Sequence, residues 1–196
     1  AAALEYYSDF IEKAFKSSQG GWVYGYNNIA SFLMNAEYRD IIRWIPAINS
    51  LGITLPEMLE RSANLGNPWG QDQLANLYIR GEVNDNKDPR KRAYELFSDA
   101  SNNGYAWAHY HLAVHFYRDD EDKFLYYLGK VLEVDELDDE IVNSEVRDMA
   151  YLQLAEFYYN KDEKKYINYM DKAMESEHPK VRSAIDILQK SGIRSR

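Results

Sequence analysis

Cysteine is absent from the 196 residues of the sequence, which excludes disulfide bonds, thiolate metal sites and a cysteine nucleophile. The sequence also has no apolar run of the roughly 18 residues that a membrane-spanning helix needs. Acidic residues outnumber basic ones, and a net charge of −9 lacks the attraction to phosphate that drives nucleic-acid binding. We therefore expect neither a membrane span nor a nucleic-acid partner.

Motifs of the common enzyme classes are missing as well. The sequence contains no Gly-x-Ser-x-Gly nucleophile elbow, no phosphate-binding loop ending in Lys-Ser or Lys-Thr, and no dinucleotide fingerprint. Scattered carboxylates cannot be paired from sequence, so a carboxylate hydrolase has no positive support. The prediction is a protein without catalytic residues and without a cofactor.

The composition is that of a folded chain. Hydrophobic residues make up 45% of the sequence and charged residues 28%, which is enough apolar material for a core, and tyrosine is unusually frequent with 17 copies. The chain starts at Ala1 without Met, which fits either a cut end or a mature end left by processing. Cytoplasmic and periplasmic or secreted locations both remain open.

A short motif occurs four times along the chain. A small residue is followed four positions later by a Leu-Ala or Ile-Ala pair and then, after two more positions, by a large apolar residue. The repeated alanines are Ala30, Ala75, Ala113 and Ala155, at intervals of 45, 38 and 42 residues, as in helical hairpin repeats. Because the apolar positions are four apart, they line one face of a helix. The motif predicts an all-α fold, a right-handed α-α superhelix of stacked antiparallel helix pairs.

Further segments supply the remaining helices. The sequence predicts helices over Leu55 to Asn64 and Pro89 to Asn102, and a largely helical stretch from Ile29 to Ile48 that Pro46 ends or kinks. The expected organisation is one continuous unit with a helical cap and weak repeat over 1–52, repeats over 53–178, and a capping helix and tail over 179–196.

The best-preserved copy of the repeat extends from Gly66-Asn67-Pro68 to Gly104. It contains LANLYIRGEVNDNKDPRKRAYELFSDASNNG, in which Leu-Ala, an aromatic residue, Gly-x-Val, Asp, a basic residue before Ala and a final Ala before Gly follow one another. This order resembles the Sel-one-like repeat family, a relative of the tetratricopeptide repeats. The resemblance covers about residues 55 to 178, although the later copies lose the Gly-x-Val loop. It implies a solenoid that acts as an adaptor or regulator holding other proteins, or as an immunity protein that neutralises a toxin.

The helical motif also predicts which side chains face a partner. Positions just before Leu and just after Ala point away from the buried stripe, and tetratricopeptide-like solenoids use such positions as an inner wall that binds peptides or proteins. Trp107, His115 and an outward-pointing Tyr110 add an aromatic patch. Ordinary solvated helix positions are the alternative interpretation. The predicted protein-binding residues of this wall are Asn28, Ser31, Gln73, Asn76, Trp107, Tyr110, His111, His115, Gln153 and Glu156.

Negative charge is concentrated in one segment. Asp119 to Glu145 holds eleven acidic residues and two lysines, so this segment carries −9 and the rest of the chain is neutral. Such a field steers a basic partner protein, and Asp138, Asp139 and Glu140 are predicted to contribute to that acidic flank. A solvated, solubilising loop is the alternative.

Three classes of function remain open. The first is a non-enzymatic module, a monomer or weak dimer, that binds another protein. The second is a metal-binding or hydrolytic enzyme that uses His109, His111 and His115, of which the last two are four apart on one helical face. The third is a purely structural spacer in a larger assembly. Bound metal in the purified protein would support the second, and a spacer would show no energetic hot spot on any face.

Overall fold

The computed structural model describes residues 2–83, 85–133 and 140–190, and the side chains of all of these except 23, 140–143 and 189. Over these residues the chain forms α-helices, a 3-10 helix at Ala36–Tyr38 and no strand, which confirms the predicted all-α class. None of the described helices has the length and apolar character needed to cross a membrane. The α-helices are α1 (Ala2–Gln19), α2 (Val23–Met34), α3 (Arg39–Ile42), α4 (Pro46–Leu51), α5 (Leu55–Asn64), α6 (Pro68–Ile79), α7 (Pro89–Asn102), α8 (Ala106–Phe116), α9 (Glu121–Glu133), α10 (Glu140–Tyr158), α11 (Glu163–Met174) and α12 (Pro179–Lys190).

The chain divides into two compact units, Ala1–Tyr105 and Ala106–Arg196. In the first unit helices pack in succession, with α1 on α2, α2 on α5, α5 on α6 and α6 on α7, while α4 packs back on α1. This succession fits the stacked helix pairs that the motif predicts. The core of the unit consists of side chains that are almost completely buried, namely Ile11, Ile29, Ile45, Met58, Leu59, Leu77 and Phe97.

Local sequence explains where α5, α6 and α7 begin and end. The side chains of Thr54, Asn67 and Asp88 each accept a hydrogen bond from a backbone N–H of the first turn, and a proline follows within two residues. Gly66 and Gly104 follow α5 and α7 with a φ of +78° each, the left-handed conformation that turns the chain away from a helix end. The predicted bounds of α5 and α7 are confirmed at both ends.

The repeated motif lies in the core of both units. The small residues Gly25 and Gly70 lie so close to the preceding helix that a β-carbon at either position would overlap its atoms. The prediction that the Leu-Ala or Ile-Ala pairs are buried is confirmed. All eight residues are at most 4% exposed: Ile29, Ala30, Leu74, Ala75, Leu112, Ala113, Leu154 and Ala155.

In the second unit α8 packs on α9, α10 packs on α9 and α11, and α10 also contacts α8 and α12. Two apolar clusters hold these helices together. Leu152 and Leu154, two residues apart on α10, belong to different clusters, so α10 is covered on two sides. The first cluster includes Tyr110, Phe124, Leu128, Val131, Val146 and Leu154, and the second includes Leu152, Met170, Val181 and Ile185.

The prediction of a largely helical stretch over 29–48 is confirmed, but the stretch consists of several short helices, and the predicted role of Pro46 is wrong. α2 ends at Met34, and the side chain of Asn35 accepts a hydrogen bond from the Glu37 N–H at 2.9 Å, which starts the 3-10 helix. Pro46 does not end a helix but begins α4. The physical reason is that the first residue of a helix needs no N–H donor, so proline fits there.

Candidate protein-binding surface

One face of α8 carries a row of aromatic and imidazole side chains. Trp107, His111 and His115 are four residues apart, which places them on one side of the helix, and all three are half-buried. The ring centroids of Trp107 and His111 are 5.5 Å apart, and those of His111 and His115 are 5.7 Å apart. Lys180 of α12 lies over the Trp107 ring, with its Nζ 5.8 Å from the centroid. Three of these side chains are sequence-predicted binding residues, and the structure brings them together.

A groove of about 250 Å³ adjoins α10 in the same unit. Arg118, just beyond α8, donates to Glu156 on α10 with Nη2 and Oε1 2.9 Å apart. Lys161 Nζ lies 3.7 Å from the centroid of the Phe157 ring and also pairs with Glu121. Lys161 thus lies over an aromatic ring at the groove, while Arg118 and Lys161 are each paired with a carboxylate. The lining residues of the groove are Arg118, Phe124, Gln153, Glu156, Phe157 and Lys161. We call Trp107, His111, His115, Arg118, Gln153 and Glu156 together the α8–α10 face.

Tyr110 is not part of this surface, and its predicted outward position is wrong. The side chain is only 7% exposed and packs in the cluster that contains Val146, Ala150 and Leu154 of α10. The physical reason is that α8 is covered by α10 as well as by α9, so residues on two sides of α8 are buried. Burial raises the pKa of Tyr110 to about 12, with Arg118 opposing and Glu156 reinforcing the shift.

The first unit holds the other predicted wall residues. Asn28 and Ser31 are exposed on α2, whereas Gln73 and Asn76 are half-buried on α6. Both amides donate to Oδ2 of the Asp72 carboxylate. The distance is 3.1 Å from Nε2 of Gln73 and 3.2 Å from Nδ2 of Asn76. Asp72 is completely buried, so these amides serve to solvate an internal carboxylate. That the predicted residues of both units form one inner wall stays a prediction.

The acidic flank is partly neutralised by lysines. Asp138 and Asp139 lie outside the described residues, and the side chain of Glu140 is not described either. Four described acids of the segment form ion pairs within the second unit. Asp120 pairs with Lys123 at 3.3 Å, Glu133 with Lys130 at 2.6 Å, Glu145 with Lys180 at 2.8 Å, and Glu121 with Lys161. These acids contribute less to a long-range field than their number suggests.

The three clustered histidines do not converge on a common point. His109 is buried and its ring faces Tyr127 of α9, with centroids 6.3 Å apart, whereas His111 and His115 share the other row. Among the described residues no group of three or more His, Asp or Glu side chains is placed to hold a metal ion. This arrangement gives the predicted metal-site alternative no geometric support.

Protonation of His109 is expected to destabilise the second unit. Burial lowers the pKa of His109, Lys130 lowers it further, and Glu133 opposes the shift. A lowered folded-state pKa means that stability is present above the ordinary histidine pKa of about 6.5 and is lost as the pH falls through the folded-state value. Urea midpoints measured across this range should fall more steeply for the parent than for His109→Gln. A flat parent profile would contradict the expectation.

Comparison of the chain with models of known protein families, with curated proteins and with solved structures finds no match.

Proposed function

We propose that the protein is a non-enzymatic module that binds another protein through the α8–α10 face. The observation that carries the proposal is the row of Trp107, His111 and His115, half-exposed rings in the same unit as the Arg118–Glu156 pair. Rings with a polar edge provide a large contact area at a small cost in side-chain entropy, and interfaces are enriched in tryptophan, tyrosine and arginine.

The resemblance to Sel-one-like repeats supports the same function. It favours two biological roles, a regulatory adaptor and an immunity protein that blocks a toxin. Both roles need only a surface complementary to a partner, so the α8–α10 face serves either. A toxin gene beside the gene for this protein would favour the immunity role.

The experiment begins with affinity capture from the source cells and mass-spectrometric identification of the retained protein. The purified partner is then titrated against variants. His111→Ala and Trp107→Ala are expected to weaken binding by about 1–3 kcal/mol, roughly 5- to 150-fold, because interface energy is concentrated in a few ring and arginine anchors. Tyr126→Ala is the matched aromatic control, since Tyr126 is 58% exposed on α9 and lies outside the α8–α10 face.

Each variant is first checked for an unchanged denaturation midpoint, because the Trp107 ring also packs edge-on against Tyr110. Unchanged affinity of both variants would show that the face is wrong. Losses that map instead to Lys91, Arg92 and Glu95 would place binding on α7.

We also propose that the acidic flank speeds association with a basic partner. Reversing Asp138, Asp139 and Glu140 to lysine should lower the association rate more than it raises the dissociation rate. The association rate of the parent should fall as salt rises, because charges more than about 10 Å apart are screened at 0.1 M. Stopped-flow measurement of both rates tests this, and a salt-independent association rate would reduce the segment to a solubility feature.

A further inference from the structure

Asn103 and Gly104 form the only Asn-Gly pair in the sequence. When glycine follows asparagine, no side chain shields the next backbone nitrogen, which can attack the asparagine amide carbon. A bond forms between the glycine nitrogen and Cγ, and the bond from Cγ to the amide nitrogen breaks. The amide nitrogen takes up the proton of the glycine N–H and is released as ammonia, and a succinimide ring remains. Water then opens the ring at either carbonyl to give aspartate or isoaspartate. The reaction needs no oxidant and no cofactor.

We propose that Asn103 is a deamidation site that the folded end of α7 keeps closed and that reacts only when the last turn of the helix opens. Asn103 is exposed, so water reaches it in the folded protein. Burial therefore gives no protection, and the protection must come from the hydrogen bonds and the backbone conformation of the helix end.

Hydrogen bonds hold both reacting groups away from each other. The Gly104 N–H donates to the Ser101 carbonyl oxygen at 2.9 Å, and the Tyr105 N–H donates to the Ala100 carbonyl oxygen at 3.1 Å. These are the paired bonds of a Schellman motif, and they occupy the attacking nitrogen. The side-chain Nδ2 of Asn103, which is the leaving group, donates to the Asp99 carbonyl oxygen at 3.0 Å.

The backbone conformation acts in the same direction. Asn103 has a φ of −86° and a ψ of 10°, and Gly104 follows with a φ of +78°. Ring closure requires the Gly104 nitrogen to swing onto Cγ of Asn103, which demands a large rotation about ψ of Asn103. That rotation breaks the Schellman bonds, so the deamidation rate reports the fraction of molecules in which this turn is open.

The product hinders the turn from closing again. Aspartate places a negative charge at a helix C-terminus, where the helix dipole disfavours anions, and it removes the amide donor to Asp99. Isoaspartate also inserts a methylene group into the main chain, which displaces Gly104 from Ser101. A brief opening thus becomes a permanent change at the end of α7.

The test incubates the full chain at neutral pH with and without denaturing urea and follows residue 103 by peptide mapping and mass spectrometry. Deamidation of the folded protein should be at least about tenfold slower than in urea, because helix ends open only in a small fraction of molecules. Asn102, exposed at the last position of α7, offers a matched pair of variants. When the two variants are folded, Asn103 should deamidate about fivefold faster in Asn102→Gly than in Asn102→Ala, because glycine has the lower helix propensity. In urea Asn103 should react equally fast in both variants.

Circular dichroism confirms that both variants are folded during the incubation. Equal rates for the parent in native buffer and in urea would overturn the proposal. Equal rates for the two folded variants would also overturn it, since the helix end would then not control the reaction.

Discussion

Replacing Gly25 with alanine is expected to destabilise the first unit by about 3 kcal/mol. A β-carbon at position 25 would overlap the carbonyl oxygen of Ala14 and the hydroxyl oxygen of Ser18, and it would lie 3.2 Å from the Ala14 carbonyl carbon. The Ala14 carbonyl belongs to the backbone of α1, so it cannot rotate away as a side chain can. The higher helix propensity of alanine, worth about 1 kcal/mol, is too small to offset this overlap. Urea denaturation followed by circular dichroism measures the loss.

Gly129 provides the matched control. It lies within α9 and has nothing within 4 Å of an added β-carbon, so Gly129→Ala should stabilise the protein by about 0.5–1 kcal/mol. Gly70→Ala is a second test, because there the closest atoms belong to the side chain of Ser62, whose Cβ would lie 2.7 Å away. Adding Ser62→Gly should recover part of that loss. An unchanged midpoint for Gly25→Ala would show that α1 and α2 do not approach so closely.

Replacing Tyr110 with alanine is expected to destabilise the second unit by about 3–5 kcal/mol, since it removes a large side chain from a closed cluster. The ring packs with Val146, Ala150 and Leu154 of α10, and its loss leaves a cavity between α8 and α10. Tyr126→Ala is the control, because a side chain that is 58% exposed should change stability by no more than about 0.5 kcal/mol. Equal midpoints for the two variants would contradict the burial of Tyr110.

Alkaline pH gives an independent measurement on Tyr110. Its folded-state pKa of about 12 lies above the ordinary tyrosine value of about 10, so the folded protein favours the neutral phenol. The resulting stability is fully present below about pH 10 and is lost as the pH rises through the folded-state pKa. Over that interval the parent should lose up to about 2–3 kcal/mol of stability. Tyr110→Phe should lose less stability as the pH rises. Equal losses of stability in the two proteins would contradict the raised pKa of Tyr110.

Sequence reasoning located helices best where the signals for their ends are local. The predicted bounds of α5 and α7 coincide with such signals in the structure, where Thr54 and Asp88 cap the first turns and Gly66 and Gly104 follow the last turns. Pro46 shows the limit of such signals. Proline marks a helix boundary, but whether it ends one helix or begins the next depends on the residues that precede it.

The candidate site was less predictable because its residues acquire their environment from distant helices. Periodicity along α8 placed Trp107, His111 and His115 on one side, yet it could not show that α10 covers Tyr110. One weak signal in the sequence indicated the pairing of Arg118 with Glu156. The two residues have opposite charges and lie 38 positions apart, about the length of one repeat. Nothing in the local sequence marked Asp72 as a buried carboxylate.

Glycines with positive φ are unevenly divided between the two units. All those that the structure describes belong to the first unit, whereas residues 106–133 and 140–190 make their turns without one. A left-handed glycine is costly to replace, because most residues other than Asn and Asp add strain in that conformation. Over generations the turns of the first unit can therefore drift very little in sequence. Turns in the described part of the second unit lack this constraint, so their sequences can vary more without rebuilding the helices. The glycines with positive φ in the first unit are Gly21, Gly52, Gly66, Gly81 and Gly104.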